Sequence, residues 1–350
     1  MVVRLGPQTL AEQMIRLDDR EAGLEGVIVI HSTALGPGAG GCRLWTYPAF
    51  ADAAEDATRL ARGMSYKNAL AGLPFGGAKA VLRRPSGTFD RKALFRAFGR
   101  AVANLGGCYV TAEDVGTSVA DMTEVATVTR YVAGLNAAPG RAGGDPSPWT
   151  AQGVFDAMAA AASLTLGSDL GELRIAIQGV GSVGADLCRR LSRSGARLFI
   201  ADVDREACLR LARQCGATIV EPDHILGLDV DVVAPCALGG VLNERSVDGL
   251  RARVVCGAAN NQLEKPEIAR HLQDRNIAYV PDFVANAGGI ISVAGEYMGE
   301  AESGVATRVA LIGPRVTTIL EESRNRQVSP AFVADRMAEE IIAGVDREAA

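Results

Sequence analysis

Two rhythms of apolar and polar positions divide this chain. Residues 26–32 (GVIVIHS) are an almost unbroken apolar run, which predicts a buried strand. Between Asp52 and Asn68 the apolar residues Ala53, Ala57, Leu60, Ala61 and Met64 recur at helical spacing, and 90–105 reads as a second amphipathic helix. LGPGAGG (35–41), with four glycines, is a close-approach loop. LPFGGAKAVL (73–82) breaks at a proline and two glycines and then enters a strand, and GCYVTAEDVGTS (107–118) is a strand running into a polar loop. RAGGDPSP (141–148) reads as a linker, and a domain boundary falls near 140–150. Beyond it a helix over 150–165 precedes strands at 173–179, 197–202, 217–220, 229–235, 252–260 and 277–282. Helices at 183–194 and 204–214 separate the first of these strands, and 301–345 is helical again. Strands alternating with helices predict an α/β fold whose second domain holds a parallel sheet covered on both faces.

Composition narrows the class. The 350 residues are 48% apolar and 22% charged, with a net charge of −5. That excludes a disordered chain and gives no general attraction to nucleic acid or to an anionic membrane. No run of 18 apolar residues is present, which speaks against a membrane-spanning helix, and MVVRLGPQTLAEQ lacks the pattern of a secretion signal. The seven cysteines never fall at a C-x-x-C spacing and read as free thiols of a reducing compartment, so a cytoplasmic location is expected. Three scattered histidines offer no metal site. Of 36 basic residues only four are lysine: Lys67, Lys79, Lys92 and Lys265. Lysine can give up its proton where arginine cannot, and two of the four stand twelve positions apart in one glycine-rich stretch.

After the predicted strand LRIAIQ the chain reads Gly179-Val180-Gly181-Ser182-Val183-Gly184, a G-x-G-x-x-G pattern that opens a predicted helix. The first glycine permits the tight turn, the second lets backbone approach a pyrophosphate, and the third lets helix and strand pack closely. Asp202 ends the next strand, 18 residues after Gly184, placed to accept hydrogen bonds from a ribose diol. A carboxylate there repels a 2′-phosphate, so NAD is expected rather than NADP. The pattern alone also fits a turn in a structural domain; strand, glycines, helix and acid in register favour the nucleotide.

Four segments of the first domain carry chemistry: Gly40-Gly41-Cys42-Arg43, Met64-Ser65-Tyr66-Lys67-Asn68, Gly76-Gly77-Ala78-Lys79 and Ala112-Glu113-Asp114-Val115-Gly116. Glycines beside a lysine let a small ligand touch backbone while the ammonium meets a carboxylate. Two neighbouring cations depress a lysine pKa, which prepares a general base, and Asp114 is a second proton carrier.

Taken with GDPSPWTAQGV, QGVGSVG, APCALGG, VVCGAANNQL and PDFVANAGG, these blocks resemble the leucine/valine/phenylalanine dehydrogenases of the wider glutamate dehydrogenase superfamily, from about residue 26 to about 300. The tryptophan dehydrogenases are similar too. The resemblance implies a substrate-binding and oligomerisation domain over 1–140, a Rossmann-type doubly wound NAD domain over 145–320, and a C-terminal helical return to the first domain over 321–350. It implies reversible, NAD-dependent oxidative deamination of a hydrophobic L-amino acid to a 2-oxo acid and ammonium, by a homo-oligomer; dimers and octamers both occur. Lys67 would pair with the substrate carboxylate. Lys79 would activate water at the imine carbon, and Asp114 would exchange protons with the departing amine. Gly40 and Gly41 would shape the pocket, and Asn261 would touch the substrate. Thr150, the Gly179–Gly184 loop, Asp202, Ala234, Cys236, Ala258, Asn260 and Asn286 would contact NAD. The chain departs from the family's usual GGGK by reading GGAK, which adds a methyl group beside Lys79, and from GGTR by reading GGCR followed by Trp45 and Tyr47, residues assigned to assembly rather than chemistry.

Ala39 stands where glutamate dehydrogenases hold a lysine for the side-chain carboxylate, so glutamate is disfavoured. Ile290, Ile291, Val293 and Ala294 are apolar, which favours a bulky side chain of phenylalanine, leucine, valine or tryptophan type. Two rivals stand beside this reading. A non-catalytic NAD-binding or sensing protein would have no need of Lys67, Lys79 and Asp114 together, and a 2-hydroxy-acid oxidoreductase would want a histidine base that no motif here supplies.

Overall fold

A computed structural model describes residues 3–5, 13–135 and 141–348. The chain forms two compact units, one of residues 1–144, 292–305 and 338–350, the other of 145–291 and 306–337.

Unit 1 is built on a mixed sheet of seven strands: β1 (Val3–Leu5), β2 (Gln13–Asp19), β3 (Leu24–Ser32), β4 (Gly38–Ala39), β5 (Cys42–Trp45), β6 (Gly76–Arg83) and β7 (Tyr109–Val110). They lie in the order β1-β2-β3-β6-β4-β7, with β5 also pairing with β6. Period-2 alternation sorts β6 by face. Ala78, Ala80 and Leu82 enter one core with Ile28, Ile30 and helix α2 (Arg91–Ala103). Val81 joins Val27 and Val29 under Ala53, Ala57 and Ala61 of α1 (Phe50–Leu70). Lys79 shares the parity of Val81 and therefore lies on the α1 face. Helix α3 (Val119–Ala126) follows the polar loop after β7.

Unit 2 holds a fully parallel six-stranded sheet: β8 (Arg174–Gln178), β9 (Arg197–Ala201), β10 (Thr218–Ile219), β11 (Val232–Pro235), β12 (Val254–Val255) and β13 (Ala278–Tyr279). Their order, β10-β9-β8-β11-β12-β13, is the doubly wound dinucleotide-binding order, and the chain reverses direction across the sheet between β8 and β11. Helices α5 (Ser182–Arg193) and α6 (Arg205–Cys215) follow strands of its first half, α7 (Glu244–Gly249), α8 (Ile268–Asp274) and α9 (Asp282–Ala285) those of its second, and α4 (Ser147–Leu166) packs against α5, α9 and β12. α10 (Gly288–Tyr297), α11 (Glu302–Val309), α12 (Ile312–Arg326) and α13 (Pro330–Glu348) complete the chain.

The elements differ from the sequence expectation in their ends. The apolar runs 252–260 and 277–282 pair over two residues each, because the chain leaves the sheet into backbone-bonded turns that carry polar groups. The loop 35–41 contains β4, which bridges β6 and β7 in parallel. β6 begins on the glycine pair rather than after it, since methyl groups at Gly76 and Gly77 would overlap the Ser32 carbonyl and the Ser65 backbone.

Candidate functional site

In unit 1 the glycine pair decides what meets. Without a side chain at Gly77, α1 presses directly on β6 at Ser65, and without one at Gly76 the end of β3 does so at Ser32. Buried Asn68 locks the contact by donating from Nδ2 to the Gly76 carbonyl at 2.6 Å. The α1 segment that carries half-buried Lys67 therefore lies against the β6 segment that carries Lys79. Ala39 pairs with Gly77 across β4 and β6 and is buried, and the Tyr109 hydroxyl donates to the Gly40 carbonyl at 2.7 Å. A methyl at Gly41 would crowd the Glu113 carbonyl, so the bare backbone lets the 112–115 segment close on 42–44. Cys42 N–H donates to Ala112 and Leu44 N–H to Val115. The Thr117 hydroxyl accepts from the Asp114 N–H and donates to the Cys42 carbonyl.

This framework delivers Asp114 to Lys79. Lys79, only 4% exposed, forms an ion pair through Nζ with Asp114 Oδ2 at 3.1 Å. Arg43 Nε donates to the same oxygen at 3.0 Å. Burial lowers the Lys79 pKa; Asp114 works against that shift and the Arg43 charge adds to it. The expected pressure from a second cation is thus present, but desolvation is the larger cause and arginine is the cation. Burial pushes Asp114 upward, yet Lys79 and Arg43 together hold its carboxyl below the usual aspartate value. The site accordingly favours a carboxylate beside an amine that releases its proton readily. The methyl of Ala78 turns to the opposite face of β6 and fills the core there, away from Lys79.

Arg43 belongs to a block that the sequence marks as chemical, but the sequence gives it no role of its own. Its signal was its place directly after the Gly40-Gly41-Cys42 block, but its partners, Asp56 thirteen residues on and Asp114 seventy-one residues on, meet it only through the fold.

A second candidate site lies in unit 2. Gly179 takes a positive φ of 96°, as a tight strand-to-helix turn requires. A methyl at Gly184 would overlap the Gly179 carbonyl, whereas one at Gly181 would meet nothing within 4 Å. The first turn of α5 has no side-chain cap, so its N–H groups are available to an anion. Asp202 Oδ2 accepts from Val180 N–H at 2.7 Å and Oδ1 from Asp204 N–H at 2.9 Å, which ties the carboxylate to the glycine loop. Cys236 and Ala237, just after β11, stand against Gly179 and Gly184, and buried Ala234 ends in the same strand. Asn286 donates from Nδ2 to the Asn260 Oδ1 at 2.8 Å and to the Ala258 carbonyl at 3.0 Å. Thr150, near the start of α4, donates to the Pro146 carbonyl and stands against Gly289. The carboxyl ends of β8 and β11, the sheet's reversal point, thus meet at an open glycine loop beside a fixed acid. That is a cradle into which a dinucleotide pyrophosphate fits.

Of the candidate substrate residues, Ala39, Gly40, Gly41, Lys67 and Val293 belong to unit 1, and Asn261 and Ile290 to unit 2. Asn261 adopts a left-handed conformation with φ of 52°.

Comparison with known proteins finds matches in both units. Residues 9–131 match the Glu/Leu/Phe/Val dehydrogenase dimerisation domain, and residues 204–312 match the Glutamate/Leucine/Phenylalanine/Valine dehydrogenase domain. The chain is 43% identical to a leucine dehydrogenase of Thermoactinomyces intermedius, over 95% of this chain and 90% of that protein. It is 44% identical to a valine dehydrogenase of Streptomyces albus, over 95% and 92%. The solved L-tryptophan dehydrogenase from Nostoc punctiforme superposes with a TM-score of 0.86 at 38% identity, covering 96% of both chains. With two domain matches over most of its length and such relatives over nearly all of it, the chain belongs to the Glu/Leu/Phe/Val dehydrogenase family of NAD(P)-dependent amino acid dehydrogenases.

Proposed function

We propose that this protein catalyses the reversible reaction of a hydrophobic L-amino acid, NAD⁺ and water to give the 2-oxo acid, ammonium, NADH and a proton. The observation that carries the reading is the buried Lys79–Asp114 pair, an amine lowered in pKa by burial and held 3.1 Å from a carboxylate. NAD, when bound, takes the hydride from Cα of the substrate. The Gly179–Gly184 loop and the α5 N-terminus hold its pyrophosphate, Asp202 its ribose, and Thr150, Ala234, Cys236, Ala258, Asn260 and Asn286 line the remainder. Lys67 pairs with the substrate carboxylate. Lys79 in its neutral form takes a proton from the water that attacks the imine carbon, and as an ammonium it stabilises the carbinolamine oxygen. Asp114 takes a proton from the substrate ammonium before the hydride leaves and returns it to the departing amine. Ala39, Gly40, Gly41 and Val293 are the substrate-side residues of unit 1 and Asn261 and Ile290 those of unit 2, and no cation stands at position 39 to accept a second carboxylate.

Asp202 favours NAD over NADP because a carboxylate at the ribose repels a 2′-phosphate. All seven cysteines are free thiols, which supports a cytoplasmic site of action; no helix among the described residues is long and apolar enough to cross a membrane. The match to a dimerisation domain supports assembly as a homo-oligomer through the first domain.

The test is a kcat/KM panel at the NADH absorbance band over valine, leucine, phenylalanine, tryptophan and glutamate, with NAD and with NADP. Turnover of at least one hydrophobic substrate with NAD, and far weaker turnover of glutamate, is expected. Failure of every hydrophobic L-amino acid overturns the reading.

A further inference from the structure

The charges around Lys79 do not end at Asp114. Arg43 uses two different nitrogens on two different carboxylates: Nε donates to Asp114 Oδ2 at 3.0 Å, and Nη1 donates to Asp56 Oδ2 at 2.8 Å. Asp56, on α1, is itself saturated. Its Oδ2 also accepts from the Tyr47 hydroxyl at 2.5 Å, and its Oδ1 accepts from Arg59 at 2.7 Å. The side chains of Arg43, Asp56 and Asp114 are all at most one-quarter exposed, so solvent screens their fields weakly. The Tyr47 hydroxyl is thereby engaged by Asp56 within unit 1, and its pKa is pushed up to about 12 by burial and by Asp56.

We infer that Arg43, clamped between Asp114 and Asp56, is a positioning residue for the Lys79–Asp114 pair: it fixes the one carboxylate oxygen that the lysine meets and places a second positive charge on it. Two cations on Oδ2 hold the carboxylate in one rotamer and leave Oδ1 as the oxygen for proton exchange with a substrate amine. A single carboxylate charge cannot fully compensate two buried cations, so the one able to lose its proton, the lysine, is driven to do so; arginine is not. Asp56 opposes this in part, because it draws the Arg43 charge toward itself. The remaining neighbours of Lys79 do not alter the argument. Cys42 is a buried thiol whose pKa is raised well above normal by burial and by Asp114, so it stays neutral. Asp121 and Arg91, beyond it, form their own ion pair. Lys67, on the packed end of α1, is common to every variant below.

This inference deepens the proposed function and rests on it for its kinetic readout, so a second readout is independent of turnover. Competitive acetylation with acetic anhydride, followed peptide by peptide by mass spectrometry, titrates the Lys79 amine directly in wild type, Arg43→Met, Arg43→Lys and Asp56→Asn. In parallel, the pH dependence of kcat/KM for deamination is measured with the best amino acid of the panel. Loss of the Arg43 charge is expected to move both the Lys79 titration and the acid limb to higher pH by about one unit or more, as a unit charge some 6 Å away in a half-buried site does. Arg43→Lys, which keeps the charge but not the fork, is expected to keep the limb near wild type while kcat falls. Asp56→Asn is expected to move the limb the other way, by less. Opposite signs from two residues of one network are what a merely structural tie does not produce. An unchanged titration in Arg43→Met overturns the inference; should that variant not fold, an unchanged or alkaline-shifted titration in Asp56→Asn does so. A wild type that titrates as expected but turns over no amino acid sinks the proposed function and leaves the charge network standing.

Discussion

At the scale of single residues the proposed reaction turns on a proton that Lys79 accepts as a neutral amine and returns as an ammonium. Its pKa lies below the ordinary lysine value, chiefly through burial. The neutral form is the base, so deamination is expected to rise with pH through the Lys79 titration, and reductive amination, which needs the ammonium, to fall through the same range. Both limbs should have midpoints below 10.5, the usual lysine value. A deamination limb at or above that value contradicts the role. Lys79→Ala removes the base altogether and is expected to lower kcat by about 10²–10⁴-fold, the range of general acid–base contributions. NAD affinity, measured by fluorescence titration, should be unchanged, since the glycine loop and Asp202 lie in the other unit. Asp202 has a different task. Its two oxygens already accept from Val180 and Asp204, so it acts as a fixed negative wall at the strand end. Asp202→Ser keeps a hydrogen-bonding group and removes the wall; the NAD/NADP ratio of kcat/KM is expected to fall by about tenfold or more, and a constant ratio removes the acid from cofactor choice.

At the scale of elements the glycines divide into those that serve packing and those that leave room. Gly184 has no space for a methyl, because the Gly179 carbonyl occupies it; Gly181 has open space all round. Gly184→Ala is therefore expected to cost about 1–3 kcal/mol of stability, as overpacking does, and to lower the melting temperature without ligand. Gly181→Ala should leave the ligand-free melting temperature within about a degree of wild type yet weaken NAD binding by tenfold or more. Equal NAD affinity in Gly181→Ala and wild type would mean that the open space is not where the pyrophosphate sits. This contrast also marks what the sequence could say. The six-residue pattern between a strand and a helix revealed the loop, since turn, helix start and acid spacing are local properties. So were α1, β3, α5 and α6, whose apolar periods are long. β2 and β5 escaped notice because each is short or mixed in pattern: QMIRLDD buries only Ile15 and Leu17 on one face. Arg43 was marked only as part of its block, since nothing local distinguishes a guanidinium bound for two half-buried carboxylates from one bound for solvent.

At the scale of the whole molecule, the alternation of strands and helices announced a parallel sheet, but not the order in which its strands lie. That order depends on which strand edges pair, a property of distant segments, and it is what puts Gly179 beside Cys236 at the reversal point. The same holds in unit 1, where Lys79 and Asp114, 35 positions apart, meet because β4 and β5 both run beside β6 and the 112–115 segment closes on β5. In the proposed reaction the chemistry is thereby divided: the Lys79–Asp114 pair lies within one unit and the Gly179–Gly184 loop with Asp202 within the other. Each ligand alone should then stabilise its own half. Amide hydrogen exchange with NAD only, at about 100 times its dissociation constant, is expected to slow exchange at 178–185, 234–237 and 258–261. The gain for amides that exchange by opening of that unit is up to about 100-fold, the equivalent of about 2.7 kcal/mol of binding linkage. The segments 39–43, 64–68 and 76–79 should respond little. A 2-oxo acid alone is expected to reverse the pattern, protecting those segments and leaving 178–185 almost untouched. Uniform protection by either ligand alone would mean that the two units open as one cooperative body, and the division of labour between them would fail with it.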